Sequence, residues 1–228
     1  MSFNIETAIS LLPDLLRGLG ITLLLLAPTF FFGLLLSVPL ALAKRSPNSV
    51  LHQATAWYTA FMRGAPQLVL LYLVYNGFPR LAIVRETFLW DFFKNPMNCA
   101  IFVFVLNHAA FLSEIWRGAL ANVPRGVIEA AQALSAPRWL IFLKIEMPLA
   151  FRLGLSGYRN EVVLFLKATS IVSAITVFDI LGFATAAIDR TYDSFTPLVM
   201  AAAVYWCMVQ IVQLGFDRLE RHLSLAAR

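Results

Sequence analysis

The chain has 228 residues, of which 60% are hydrophobic and 14% charged, and a mean hydropathy of +0.74. Soluble domains carry roughly 45–50% apolar and about 25% charged residues, so the composition excludes an ordinary soluble core and points to hydrocarbon as the solvent. The net charge of +5 is scattered between apolar runs rather than gathered into a basic stripe, which excludes nucleic acid as a partner, and the length suits a single unit.

Ile5, Ala8, Ile9, Leu12, Leu15 and Leu16 recur at helical spacing. Residues 1–18 therefore form either a short helix along the outer interface or an extension of the first crossing past Pro13. Leu19 to Ala43 is the first crossing, since about 20 helical residues span ~30 Å of hydrocarbon. Ala41-Leu42-Ala43 has the small-x-small look of a cleavage site. The run is too long for a signal peptide, however, and Glu6, Asp14 and Arg17 before it are not a basic leader.

Residues 54–78 are apolar but interrupted by polar groups, as a crossing that lines something polar would be. Residues 98–117 are continuous, 157–183 are again interrupted, and 197–217 are continuous, leaving 218–228 as a tail. Five crossings put the termini on opposite sides. With the N-terminus outside, eleven bases fall on cytoplasmic segments (Lys44, Arg45, Arg117, Arg125, Arg138, Lys144, Arg152, Arg159, Arg218, Arg221, Arg228). Five fall outside (Arg17, Arg80, Arg85, Lys94, Arg190). Excess positive charge marks the cytoplasmic side, so the expected orientation is N-out, C-in.

Between the third and fourth crossings, residues 118–156 form the least lipid-like part of the chain. Pro124 sits where a helix over Val127–Leu134 begins. Ser135-Ala136-Pro137 breaks that helix, and a second, Arg138 to Met147, is expected to stop at Pro148. Two short capped helices make a rigid protrusion suited to gripping another protein.

Ionisable groups inside a membrane are costly and are by default functional candidates. Arg63 and Gln67 lie four apart in the second crossing, where Gly64 and Pro66 loosen the helix. Asn107 and Glu114 share a face of the third, with His108 pointing elsewhere. Asn160 and Lys167 repeat that seven-residue relation in the fourth, where Glu161, Thr169 and Ser170 add polar groups. Together they could form a hydrated path. Each has a plainer role: Arg63 as an anchor, Glu114 paired with Arg117, Lys167 neutralised by Glu161 or Glu114, and hydroxyls bonded to the preceding turn.

Gly154-Leu155-Ser156-Gly157 has the form of a protease motif but no histidine in reach to serve as base. Cys99 and Cys207 have no CxxC spacing and no neighbouring histidine, so they pack as small hydrophobes and imply neither a disulfide nor a metal site. No phosphate-cradling G-x-x-x-x-G-K-[ST] occurs, so the chain binds no nucleotide by that means. A stand-alone secondary transporter or channel subunit is the alternative class, weakened by five crossings without an internal repeat.

Glu129-Ala130-Ala131, Ser135 and Ile145-Glu146-Met147-Pro148 resemble the EAA loop of binding-protein-dependent ABC importers, with Ser135 in place of a glycine and Met147 in place of a leucine. Arg63-Gly64-Ala65-Pro66, Glu114 to Ala119 and Lys167-Ala168-Thr169-Ser170 are similar to further motifs of the same permeases, in the same order. Asn160-Glu161-Val162-Val163 resembles the N-E-V-I of the histidine, lysine–arginine–ornithine, arginine–ornithine and opine branch. The resemblance implies an all-α type I importer fold over 19–217, in a bacterial inner membrane and without catalysis of its own. It implies a coupling role for Glu129, Ala130, Ala131, Ser135, Ile145 and Pro148. The partners it implies are an ABC ATPase dimer that uses ATP and Mg, a second permease (related or identical), a substrate-binding protein outside, and an amino acid, with Glu161 helping to recognise a cationic one. Where glycine takes a left-handed backbone, serine costs roughly 1 kcal/mol; capping of the next helix by the Ser135 hydroxyl is the expected compensation.

Overall fold

The computed structural model describes residues 3–225. Helix α1 (Ile5–Ala43) runs unbroken for 39 residues despite Pro13, Pro28 and Pro39. At 1.5 Å per residue that is about 58 Å, well beyond the ~30 Å of a hydrocarbon core. The segment expected to lie along the interface is therefore the first turns of this helix, projecting past the hydrocarbon. Ala8 and Leu15 there are buried against the bundle, while Ile5, Ile9, Leu12 and Leu16 are exposed. Asn4 caps the start by accepting from the amides of Glu6 and Thr7 at 2.9 and 3.2 Å, and its own amide donates to Thr196 Oγ1 at 3.0 Å.

Helices α2 (Ser49–Gly64) and α3 (Gln67–Tyr72) are separated at Ala65-Pro66. Ala65 is extended there, because a residue before proline is pushed out of the helical region. A π turn over Leu73–Gly77 and a 3-10 turn over Phe78–Arg80 follow. Short helices α4 (Ala82–Arg85) and α5 (Leu89–Phe93) lead to α6 (Pro96–Ala121), capped by Asn95 and opened by Pro96. Helix α6 is the hub and packs on α1 and α2.

Helix α7 (Arg125–Ala133) is short and free-standing, as expected. Its successor is not. Helix α8 (Arg138–Ile141) flows through a π segment, Phe142–Glu146, into α9 (Met147–Ala168). Pro148 does not end the helix; the ladder widens just before it, relieving the clash of the proline ring with the carbonyl four residues back. The fourth crossing departs from expectation at its other end as well. Helix α9 tightens into a 3-10 stretch, Thr169–Ile175, and the chain turns at Thr176, whose φ is 65°. It restarts as α10 (Ile180–Thr191), bent by 48°. Residues 157–183 are thus a helix, a break and the start of another helix. Helix α11 (Phe195–Leu225) completes the chain.

By length and composition α1, α6 and α11 can each cross a membrane, and Arg138–Ile175 with α10 is long and apolar enough for a fourth, bent at its break. All regular structure among the described residues is helical. Ion pairs gather at the two ends of the bundle: Asp14–Arg190 at 3.0 Å at one, Arg45–Glu146 at 3.8 Å and Arg159–Asp217 at 2.6 Å at the other.

Candidate coupling surface and translocation path

The protruding segment is built to keep its shape. Ser135 follows α7 at φ 57°, its amide donating to Gln132 O at 2.8 Å and that of Ala136 to Ala131 O at 3.2 Å. These two bonds form a Schellman motif, which satisfies the last carbonyls of a helix by placing one residue in the left-handed region, usually glycine. The turn is therefore left-handed, and the expected capping by the Ser135 hydroxyl does not occur: α8 starts at Pro137 with no side-chain cap. The two backbone bonds compensate the serine instead.

One side of this segment is anchored. Ile128, Phe142 and Met147 pack on a buried cluster of Ala41, Trp116, Leu120 and Ala150, tying α7 and the π segment to α1, α6 and α9. Ala131 is buried, Ile145 half-buried and Pro148 exposed. The other side is bare. Glu129 and Ala130 are exposed, Leu134 is 84% exposed and Trp139 65%. Inside a bilayer, bare apolar side chains face lipid. On a polar segment carrying Arg125, Arg138 and Lys144 they are apolar groups set among charges, the kind of patch that suits a partner protein.

The polar candidates divide into three groups. At the end of the bundle near this protrusion, Glu114 is held by Lys44 and by Arg117 Nε at 2.8 Å, and Lys44 also donates to Thr59 Oγ1 at 2.9 Å. Burial, and after it the nearby Arg117 and Arg63, pushes the Lys44 ammonium below the usual lysine range. The Arg63 guanidinium lies over the Phe111 ring at 5.3 Å. Glu114 and Arg63 thus have the intrachain partners of their plainer roles. His52 Nδ1 lies 2.6 Å from Lys44 O.

Asn160 and Lys167 are exposed on one face of α9, and among the described residues Lys167 has no ion-pair partner, so neither proposed neutralisation takes place. Thr169 and Ser170 donate to the carbonyls of Leu166 and Lys167 at 2.7 and 3.0 Å, the plain bonding to the preceding turn. Gln67 Nε2 is buried without a partner.

The interior group contains what sequence reasoning missed. Asn107 donates to Met62 O at 2.6 Å, tying α6 to α2. His108, on another face of α6, is fully buried, with Nδ1 3.4 Å from Glu161 Oε1 on α9. The other ring nitrogen, Nε2, has no partner and lies among Phe30 and Phe165. Gly33 makes room for this ring, since a Cβ there would come within 2.6 Å of the imidazole. Asp179, in the break before α10, is also fully buried; it accepts from Gly182 N at 2.8 Å and from the Tyr205 hydroxyl at 2.7 Å. Gly18 lies so close that a Cβ would meet the Asp179 carbonyl at 2.8 Å. The one sequence signal for Asp179 was a charge flanked by apolar residues at an interrupted crossing.

Residues 30–225 match the model of a family described as the binding-protein-dependent transport system inner membrane component. The chain belongs to that family. It is a permease, the membrane subunit of an ABC transporter, and ATP hydrolysis resides in a separate chain. Among relatives, the nopaline transport system permease protein NocM of Agrobacterium fabrum is 36% identical over 92% of this permease and 87% of its own length. The histidine/lysine/arginine/ornithine transport system permease protein HisM of Salmonella typhimurium is 36% identical, over 90% and 87%. A crystal structure of an amino acid ABC transporter with histidines superposes at a TM-score of 0.85, with 26% identity, covering 97% of this permease and all of that chain. The type I importer fold is thereby established.

Proposed function

We propose that this permease imports cationic amino acids or opines, with its N-terminus outside, its C-terminus inside and five crossings. The carrying observation is the likeness to permeases named for nopaline, octopine and histidine/lysine/arginine/ornithine transport. Orientation is supported by the distribution of bases, eleven against five, and by ion pairs that segregate to two ends along the same division. The bare side of Glu129, Ala130, Leu134 and Trp139 seats in the ATPase, one of a pair that consumes ATP and Mg. The exposed face of Asn160 and Lys167 turns toward a second permease, a related chain in preference to an identical copy. A substrate-binding protein delivers cargo from outside.

The path runs by alternating access. Closure of the ATPase pair moves the protruding segment, and Ile128, Phe142 and Met147 carry that motion into α1, α6 and α9. Glu161, buried but reachable when the helices part, meets the positive group of the cargo, with His108 holding its carboxylate in place. Lys167 and Arg63 are the donors for the cargo carboxylate. Co-purification with its partners and reconstitution tests this: binding-protein-stimulated ATP hydrolysis is measured with arginine, ornithine, lysine, histidine, opines and glutamine. Stimulation by the cationic set supports the proposal; stimulation by glutamine alone rejects the substrate class.

A further inference from the structure

The break between α9 and α10 encloses more than a change of direction. A cavity of about 260 Å³ opens beside it, lined by Ser173, Thr176, Phe178, Thr185 and Asp189 among others. That volume is below the range of whole-ligand pockets, roughly 300–1,000 Å³, and suits one side chain or headgroup.

Two of its three hydroxyls, those of Ser173 and Thr185, have their hydrogens committed. The Ser173 hydroxyl donates to Ser170 O at 2.9 Å, and the Thr185 hydroxyl is taken up by Gly182 O at 2.9 Å and Leu181 O at 3.1 Å. With their hydrogens committed to backbone, both oxygens present only lone pairs to the cavity. Asp189 adds a carboxylate, and no basic residue is among those lining the cavity. Arg190, next in sequence, is turned away to Asp14 at 3.0 Å. Phe178 is half-exposed at the wall and adds an aromatic ring, a group whose face attracts a cation.

Thr176, also in the wall, holds φ 65°. A β-branched residue there is strained, and such strain gathers at functional sites. The left-handed turn at Thr176 stands at the break between Ile175 and α10. Two committed hydroxyls, one acid and an aromatic ring together describe a receptor for a guanidinium or ammonium group.

We infer that this cavity is a vestibule that receives the positive side chain of the cargo before it reaches the interior of the bundle. The inference rests on the proposed substrate class and orientation, since the cavity belongs to the end of the bundle marked by Asp14 and Arg190, assigned above to the outside.

The decisive test does not need the cargo. In the assembled transporter carrying Cys207→Ala, Thr185→Cys is labelled with a cationic or an anionic methanethiosulfonate reagent of similar size. The cationic reagent reacts faster by about ten-fold, the size expected for one nearby carboxylate at partial screening, and Asp189→Asn brings the two rates within about two-fold. Equal rates with Asp189 present, or a preference that survives Asp189→Asn, overturn the inference. In a second arm, reconstituted Asp189→Asn loses arginine uptake by about five-fold or more and Asp189→Glu restores it, while ATP hydrolysis stimulated by the loaded binding protein is retained. Loss of that stimulation in Asp189→Asn marks a structural role and overturns the assignment. A wild type that imports no cation rejects the substrate class, a result the labelling ratio reports separately from failure of the cavity itself.

Discussion

Leu134 on the protruding segment and Phe31 in α1 are both bare apolar side chains, 84% and 66% exposed, yet the exposure means different things. Phe31 belongs to a run of residues whose solvent is lipid, so its exposure costs nothing. Leu134 lies among Arg125, Glu129 and Arg138, where exposure to water is unfavourable and burial against a partner is worth most. The same contrast separates buried groups. Ala131 in the protrusion is covered by the turn it helps to close, whereas His108, Glu161 and Asp179 are polar groups buried where unsatisfied atoms are costly. The proposed partner binding falls on the protrusion, and the enclosed polar groups lie within the bundle.

Substitutions in the two regions should therefore fail in different ways. The largest effect is expected for Leu134→Asp: binding-protein-stimulated ATP hydrolysis falls by ten-fold or more, since a central apolar contact at an interface is worth about 2 kcal/mol or above. Unfolding of the permease alone, followed by thermal melting in detergent, stays within about 0.5 kcal/mol of wild type. A normal ATPase response would remove the docking role of the bare face. Next is Tyr205→Phe, which deprives the buried Asp179 carboxylate of a donor; a stability loss of about 1–3 kcal/mol is expected, with the ATPase response of the folded fraction retained. An unchanged melting temperature would show that the break before α10 does not depend on this bond. The smallest effect is a gain. Ser135→Gly keeps the Schellman bonds and relieves the left-handed serine, adding roughly 1 kcal/mol while uptake continues. A loss of stability in that variant would show that the hydroxyl contributes after all.

Much of the molecule was legible from residue order. The continuous crossings announced themselves because hydrocarbon admits few polar groups, and the protrusion because Pro124 and Pro137 bracket a short helix of alanines and a glutamate. The EAA pattern was readable even with Ser135 in the glycine position, since spacing along a helix and turn survives a change of side chain. Local rules erred where tertiary packing overrode them. Pro148 reads as a helix stop, but a π segment absorbs it because Phe142 and Met147 are pinned against the Trp116 cluster. Pro13 left two readings open, and α1 continues through it, with Leu15 held against the bundle. Ser135 reads as a cap for the next helix, but the backbone of the preceding one claims the turn first.

The long-range pairings could not be read. His108 and Glu161 are 53 positions apart, Asp179 and Tyr205 are 26 apart, and a helical period says which face a residue occupies, not which helix covers that face. Composition, hydropathy and motif spacing by themselves determined that the chain lives in lipid and that it resembles importer permeases. Only the tertiary structure decided that Lys44 joins Arg117 on Glu114, that Glu161 is turned inward against an imidazole, and that the fourth crossing breaks beside a cavity. The physical reason is that burial in lipid is a property of each segment, whereas satisfaction of a buried polar group belongs to whichever neighbour the packing brings within reach.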